Sequence, residues 1–140
     1  MFVIFLLISF EAGIFADKPE LKFDKDGSFK ILQFSDIHLP QTNEPRTIAA
    51  MNNILDSEKP NFVVITGDLV SKRSCSSFED IKRVSDIIAQ PFESRGILWA
   101  VTLGNHDRDN LSEMGVSQDK IIELYMTYKH NINKQNPPNV

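Results

Sequence analysis

Phe62-Val63-Val64-Ile65-Thr66-Gly67-Asp68 (FVVITGD) is the stretch that decides the fold. Its unbroken apolar, β-branched run has no alternation, the pattern of a strand buried on both faces. Gly67-Asp68 then turns the chain as the strand ends. On the N-terminal side, Pro45 to Glu58 predicts a helix with Asn43 or Glu44 near its cap and Pro45 in its first turn. Ile48, Met51 and Leu55 fall on one face of that helix. Before it, Phe29 to Phe34 reads as a shorter β-prone run closed by Ser35-Asp36. On the C-terminal side, a second helix starts near Ser76 or Ser77, with Glu79 and Asp80 placed as in a capping box. Phe78, Ile81, Val84 and Ile88 line one face of it, and Pro91 marks its end. Ile97 to Thr102 (ILWAVT) predicts a third buried strand, and Ser117 to Tyr128 a third helix with Ile121, Leu124, Tyr125 and Tyr128 apolar.

Strand, helix, strand, helix, strand, helix with short connections is the signature of parallel βαβ units, hence an α/β fold. Right-handed crossovers point all three strands one way, so their C-terminal ends share an edge, where open α/β sheets bind ligands. Each strand delivers a polar cluster to that edge: Asp36-Ile37-His38, Gly67-Asp68, and Gly104-Asn105-His106-Asp107. Taken singly, each has a plain explanation: Asp36 caps a turn, His38 lies on the surface, Gly-Asp is a common turn. Together, at successive strand ends, they form a metal-binding donor set. Carboxylate oxygens and imidazole nitrogens suit Zn²⁺, Mn²⁺ and iron, and a carboxylate can bridge two ions. In an extended Asp-x-His the two side chains point to one side. Asn105 offers a neutral oxygen and adds no negative charge to the set.

Composition bounds the remaining possibilities. The chain has 140 residues, 41% hydrophobic and 24% charged, enough for a folded domain with a core. A net charge of −4, with 15 Lys and Arg that form no block, gives no expectation of a nucleic-acid partner. Phe2 to Phe10 (FVIFLLISF) has the length of a signal-peptide core and is too short for a stable membrane span. The expected division is a signal peptide over residues 1–16, a charged lead-in over 17–28, and the N-terminal part of a folded domain over 29–140. This places the protein in the secretory route, secreted or vacuolar; if the run is instead a buried first strand, the location is cytoplasmic. Cys75 is the single cysteine, so no disulfide forms within the chain. Asn110-Leu111-Ser112 is a glycosylation triplet usable in that route. Neither the phosphate-loop pattern nor the dinucleotide glycine fingerprint occurs, which leaves a nucleotide-binding module weak.

SDIH, TGDLV and LGNHD, each after its strand, resemble the first three motifs of the calcineurin-like metallophosphoesterase superfamily. FKILQFSDIH with WAVTLGNHD is most similar to the purple-acid-phosphatase-related branch of fungi and plants, over residues 29 to about 128. The resemblance implies a four-layer α/β/β/α sandwich when complete and a two-metal site for phosphate esters. Asp36 and His38 would hold the first ion, Asp68 would bridge both, and Asn105 would ligate the second. The ions would be divalent or trivalent Mn, Fe or Zn, and a hydroxide bridging them would attack phosphorus. His106 would be the general acid at the leaving oxygen, with Asp107 orienting the loop.

Departures narrow this. Ser71 stands where purple acid phosphatases carry an iron-ligating tyrosine, so no purple colour is expected. Ser71-Lys72-Arg73 replaces the Asp-Arg-Gly of Ser/Thr protein phosphatases. The superfamily's later Gly-His and Gly-His-x-His have no counterpart after Asp107, and His130, at the end of a helix, reads as a solvated side chain. The expectation is therefore the front part of such a domain, a truncation that would leave Phe62, Val64, Trp99 and Val101 short of partners. The functions implied are hydrolysis of phosphate monoesters, of phosphodiesters, or an inactive secreted fragment.

Overall fold

The computed structural model describes residues 20–134 apart from Asn43, Lys72, Arg73, Asn110 and Ser112. The apolar run, the signal peptide over 1–16, the cap candidate Asn43, the ends of the glycosylation triplet and the tail after residue 134 lie outside the described residues. From residue 20 the lead-in carries only an exposed turn, in which the Gly27 amide donates to the Asp24 carbonyl at 2.9 Å.

The elements run β1 (Ile31–Phe34), α1 (Pro45–Glu58), β2 (Phe62–Ile65), α2 (Phe78–Glu93), β3 (Leu98–Val101), a 3₁₀ turn (His106–Arg108) and α3 (Gln118–Met126). The three strands pair in parallel in the order β1-β2-β3, with Phe34 beside Ile65 and Ile65 beside Val101. The α/β class and the shared C-terminal edge are as expected. Each strand is shorter than its apolar run. Pairing begins where the Asn61 side chain accepts from the Lys30 amide at 2.6 Å, which leaves Phe29 ahead of β1.

Local chemistry explains the helix ends. Pro45 opens α1, where its missing N–H costs nothing, while Glu44 gives no side-chain cap. Lys59 ends α1 in a left-handed conformation and returns its N–H to the Leu55 carbonyl. Ser77 caps α2 by accepting from the Asp80 amide at 3.2 Å, and the Asp80 carboxylate accepts in turn from the Ser76 amide at 3.1 Å. Ser117 caps α3 through the Lys120 amide. Pro91 does not end α2, contrary to the sequence expectation. It removes one hydrogen bond, but Phe92 beyond it is fully buried, and that packing carries the helix to Glu93.

Strand order that advances one way, with right-handed crossovers, puts α1 and α2 on one face of the sheet. The core lies there. Val63, Ile65, Trp99 and Val101 point into it and meet Leu55, Val84, Ile88 and Phe92, all essentially inaccessible. Trp99 packs on Phe92, Tyr125 and Tyr128, with ring centroids at 5.4, 5.9 and 5.7 Å. Trp99 and Val101 thus keep their partners, against expectation. Phe62 and Val64 alternate to the other face and are half-buried, so β2 is not buried on both sides. Ile31, on that same face, is 59% exposed.

The outer edge of β3 is also covered. The Trp99 amide donates to the His130 carbonyl, the Ile132 amide donates to Trp99, and the Asn133 side chain closes on both backbone groups of Val101. His130 anchors this segment instead of being solvated as its sequence setting suggested. Its Nδ1 lies 2.9 Å from the Glu93 carboxylate, which also accepts from the Trp99 indole at 2.8 Å. The reason is long-range: α2 presents Glu93 at a point 37 residues away in sequence.

Candidate metal centre

Beyond the sheet, the loops after β1 and β2 continue to pair. The His38 amide donates to the Asp68 carbonyl and the Leu39 amide to Leu69, both at 2.9 Å, and Leu39 bridges Val70 in parallel. The extended Asp-x-His expected from the sequence does not occur. Asp36, His38 and Asp68 each adopt a left-handed backbone, with φ of 54°, 46° and 54°. Asp and His are among the non-glycine residues that enter this region most often. The kinks bring the donors together: one ligand atom from each of Asp36, His38 and Asp68 lies within 4.8 Å of the others.

Two glycines make the close approach possible. Gly67, at φ 105°, leaves no room for a side chain, because a Cβ there would stand 2.5 Å from the Gly104 nitrogen. A Cβ on Gly104 would likewise collide with the Asp68 backbone nitrogen and carboxylate. The sequence marked both as turn residues; their mutual contact was not visible in it.

The buried Asp107 carboxylate holds these loops. It accepts from the backbone amides of Asp68 at 2.7 Å, Leu69 at 2.9 Å, Val70 at 3.1 Å and Gly104 at 2.9 Å. With its oxygens spent on four N–H donors, Asp107 faces inward to the backbone. Asp68 is buried too, and its Oδ1 accepts from the His106 amide at 2.9 Å. The Asp36 and His38 side chains are open, at 65% and 38% exposed, with 3.7 Å between His38 Nε2 and the Asp36 carboxylate. Asn105 is exposed at the start of the 3₁₀ turn and makes no capping bond there.

His106 lies against the cluster, its ring centroid 5.3 Å from that of His38. Its Nδ1 is 2.8 Å from the Asp109 carboxylate. Sequence reasoning passed over Asp109. The available signal was its position three residues after His106, since side chains at that spacing eclipse in a 3₁₀ turn.

The donor set fits a hard or borderline cation. Two carboxylates and an imidazole, one carboxylate buried and two groups open to solvent, match the preferences of Mn²⁺, Zn²⁺ or iron. No helix among the described residues is long and apolar enough to cross a membrane.

A family model described as calcineurin-like phosphoesterase matches residues 29–139. Among curated proteins, the probable inactive purple acid phosphatase 14 of Arabidopsis thaliana is 29% identical over 137 residues, covering 86% of this chain and 33% of that protein. Phosphatase DCR2 of Saccharomyces cerevisiae is 32% identical over 123 residues, covering 74% of this chain and 20% of its own length. The probable inactive purple acid phosphatase 29 of A. thaliana is 27% identical, over 88% of this chain and 34% of that protein. The chain thus spans between 20% and 34% of the length of these relatives. No solved structure gives a significant match.

Proposed function

The chain belongs to the calcineurin-like phosphoesterase family, and from that premise we propose that it serves metal-dependent hydrolysis of phosphate monoesters. Asp36 and His38 would hold one cation, Asp68 would serve both, and Asn105 would hold the second. The convergence of Asp36, His38 and Asp68 within 4.8 Å is the observation that carries this reading. Bound cations of this kind lower the pKa of coordinated water and neutralise charge on phosphoryl oxygens. The protein's own residues supply the rest. Asp107 fixes the two loops from behind through four backbone amides, so Asp68 keeps its position when substrate arrives. His106 stands beside the donors as the group that gives a proton to the leaving oxygen.

The test combines metal content with turnover. Asp68→Asn is expected to lose metal affinity by more than about 100-fold and to abolish hydrolysis. His106→Ala is expected to keep its metal and lose about 100-fold or more in kcat. Full metal affinity in Asp68→Asn would overturn the ligand assignment. Chromogenic mono- and diesters, compared on the same preparation, decide between monoesterase and diesterase activity.

A second reading is a protein that binds metal without turning over esters. Two of the A. thaliana relatives carry "probable inactive" in their names, and that supports it. It predicts metal binding with no hydrolysis of either ester class. We also propose entry into the secretory route, supported by the apolar run at residues 2–10; N-terminal sequencing of protein from the medium or vacuole checks it.

A further inference from the structure

We propose that one ordered water is a fixed part of this domain, bound between the Tyr125 hydroxyl of α3 and the loops that follow β2 and β3. Two observations carry it, a cavity of the right size and a buried hydroxyl proton that lacks an acceptor. The cavity lies behind the His106–Arg108 turn, and Ser71, Cys75, Asp107, Asp109 and Tyr125 form the polar part of its wall. It offers about 20 Å³ to the centre of a water molecule. A single water needs roughly 10–15 Å³ by that measure, together with about two to four polar partners.

The proton count points to the same place. Ser85 and Tyr125 are both fully buried, and Ser85 Oγ–H donates to the Tyr125 oxygen at 3.1 Å. Two hydroxyls carry two protons, and this bond uses one. Neither hydroxyl has a second hydrogen bond among the described residues. Reversing the bond would only move the shortage to Ser85. Tyr125, and not Ser85, borders the cavity, so the spare proton belongs to the tyrosine. Burial raises the Tyr125 hydroxyl above its usual range, and Asp107 and Cys75 on the cavity wall add to the rise, which places the hydroxyl near them. A buried donor left without an acceptor is costly.

Asp107 is not the acceptor, because its two oxygens already hold four backbone amides. The Asp109 carboxylate and the Ser71 hydroxyl remain across the cavity. A water between them takes the Tyr125 proton and gives its own two to these groups. Ser71 belongs to the loop that carries Asp68, and Asp109 closes the turn that carries His106. The water therefore braces both loops against α3 from behind.

A crystal structure of the full chain reads this directly. One solvent peak is expected at about 2.5–3.0 Å from Tyr125 Oη and from Asp109 or Ser71. A cavity without solvent density, or one closed by a side chain, overturns the proposal. Folding equilibria give an independent sign, followed in denaturant by Trp99 emission. In Ser85→Ala the tyrosine hydroxyl keeps only the water as a partner. Adding Tyr125→Phe to that variant is expected to lower the folding equilibrium constant about 10-fold, since a satisfied hydroxyl is removed and the water loses its donor. Without the water, the same step deletes an unsatisfied buried donor and raises the constant. An unchanged or raised constant overturns the proposal. Each substitution removes a single oxygen, so the comparison does not depend on a drastic change to the core.

Discussion

Gly67 and Gly104 meet backbone to backbone: a Cβ on Gly67 would lie 2.5 Å from the Gly104 nitrogen and 2.6 Å from its Cα. The obstacle is main chain, so no rotamer change relieves it. Gly67 also sits at φ 105°, where an L side chain is strained whatever the space. Gly67→Ala is therefore expected to destabilise the domain by about 3 kcal/mol or more. Denaturant midpoints give the answer, and a midpoint within error of the wild type would mean that the two loops separate easily.

Asp107 concentrates four backbone donors on one buried carboxylate. Asn keeps the shape but turns an acceptor into a donor that faces N–H groups. The expected cost of Asp107→Asn is about 2–4 kcal/mol, together with weaker metal binding, because Asp68 loses the bond that holds its amide. Equilibrium denaturation and metal titration check the two effects separately. An unchanged metal affinity would show that Asp68 needs no such support.

Glu93 plays a comparable part at the opposite end of the sheet. Its carboxylate receives the Trp99 indole N–H and both the amide and ring of His130. Glu93→Ala is expected to free the 130–133 segment from the β3 edge and to cost about 2–3 kcal/mol. Trp99 is the single tryptophan, so its emission reports the event. A red shift is expected, and unchanged emission would mean the segment is held by its backbone bonds alone.

Alkaline pH probes the α3 side of the core. Burial raises the Tyr125 hydroxyl above its usual range, even though Ser85 Oγ–H donates to it. Burial raises Tyr128 as well, reinforced by the bond it donates to the Asp86 carboxylate at 2.7 Å. Both groups have a folded pKa above the unfolded value of about 10. Their contribution to stability is complete below that value and is lost as pH rises beyond it. These are the 2 tyrosines of the chain, so tyrosinate absorbance should appear together with loss of tertiary structure. Half-ionisation near pH 10 in a protein that stays folded would contradict this burial.

Elements whose ends are set by nearby residues were legible in the sequence. Pro45 opens α1 at Pro45–Glu58, and Ser77 caps α2 just where the serine pair ahead of Glu79 and Asp80 placed its start. The strand-end clusters were legible because parallel topology alone carries them to one edge. What escaped depends on partners distant in sequence. Pro91 reads as a terminator until Phe92 is seen buried against β3. Val63 and Val64 are identical residues, and only the one-sided placement of the helices makes the first buried and the second half-open. The left-handed turns at Asp36 and His38 have no local signature. They arise because the loop after β1 must follow the carbonyls of Gly67 and Asp68.

Those turns bear on how a cation would be met. Among the described residues, the non-glycine positions with positive φ are Asp36, His38, Asp68 and Lys59, and three of these four are the donor residues. The unfavourable backbone geometry is already adopted in the folded chain. Ion capture then has little ordering left to do, and selectivity falls to a rigid template whose spacing is dictated by peptide bonds. If the proposed ligand set holds a cation, such a template would favour one whose radius suits it over one that demands the loops reshape, and discrimination between metals would reside in the main chain as much as in the side chains.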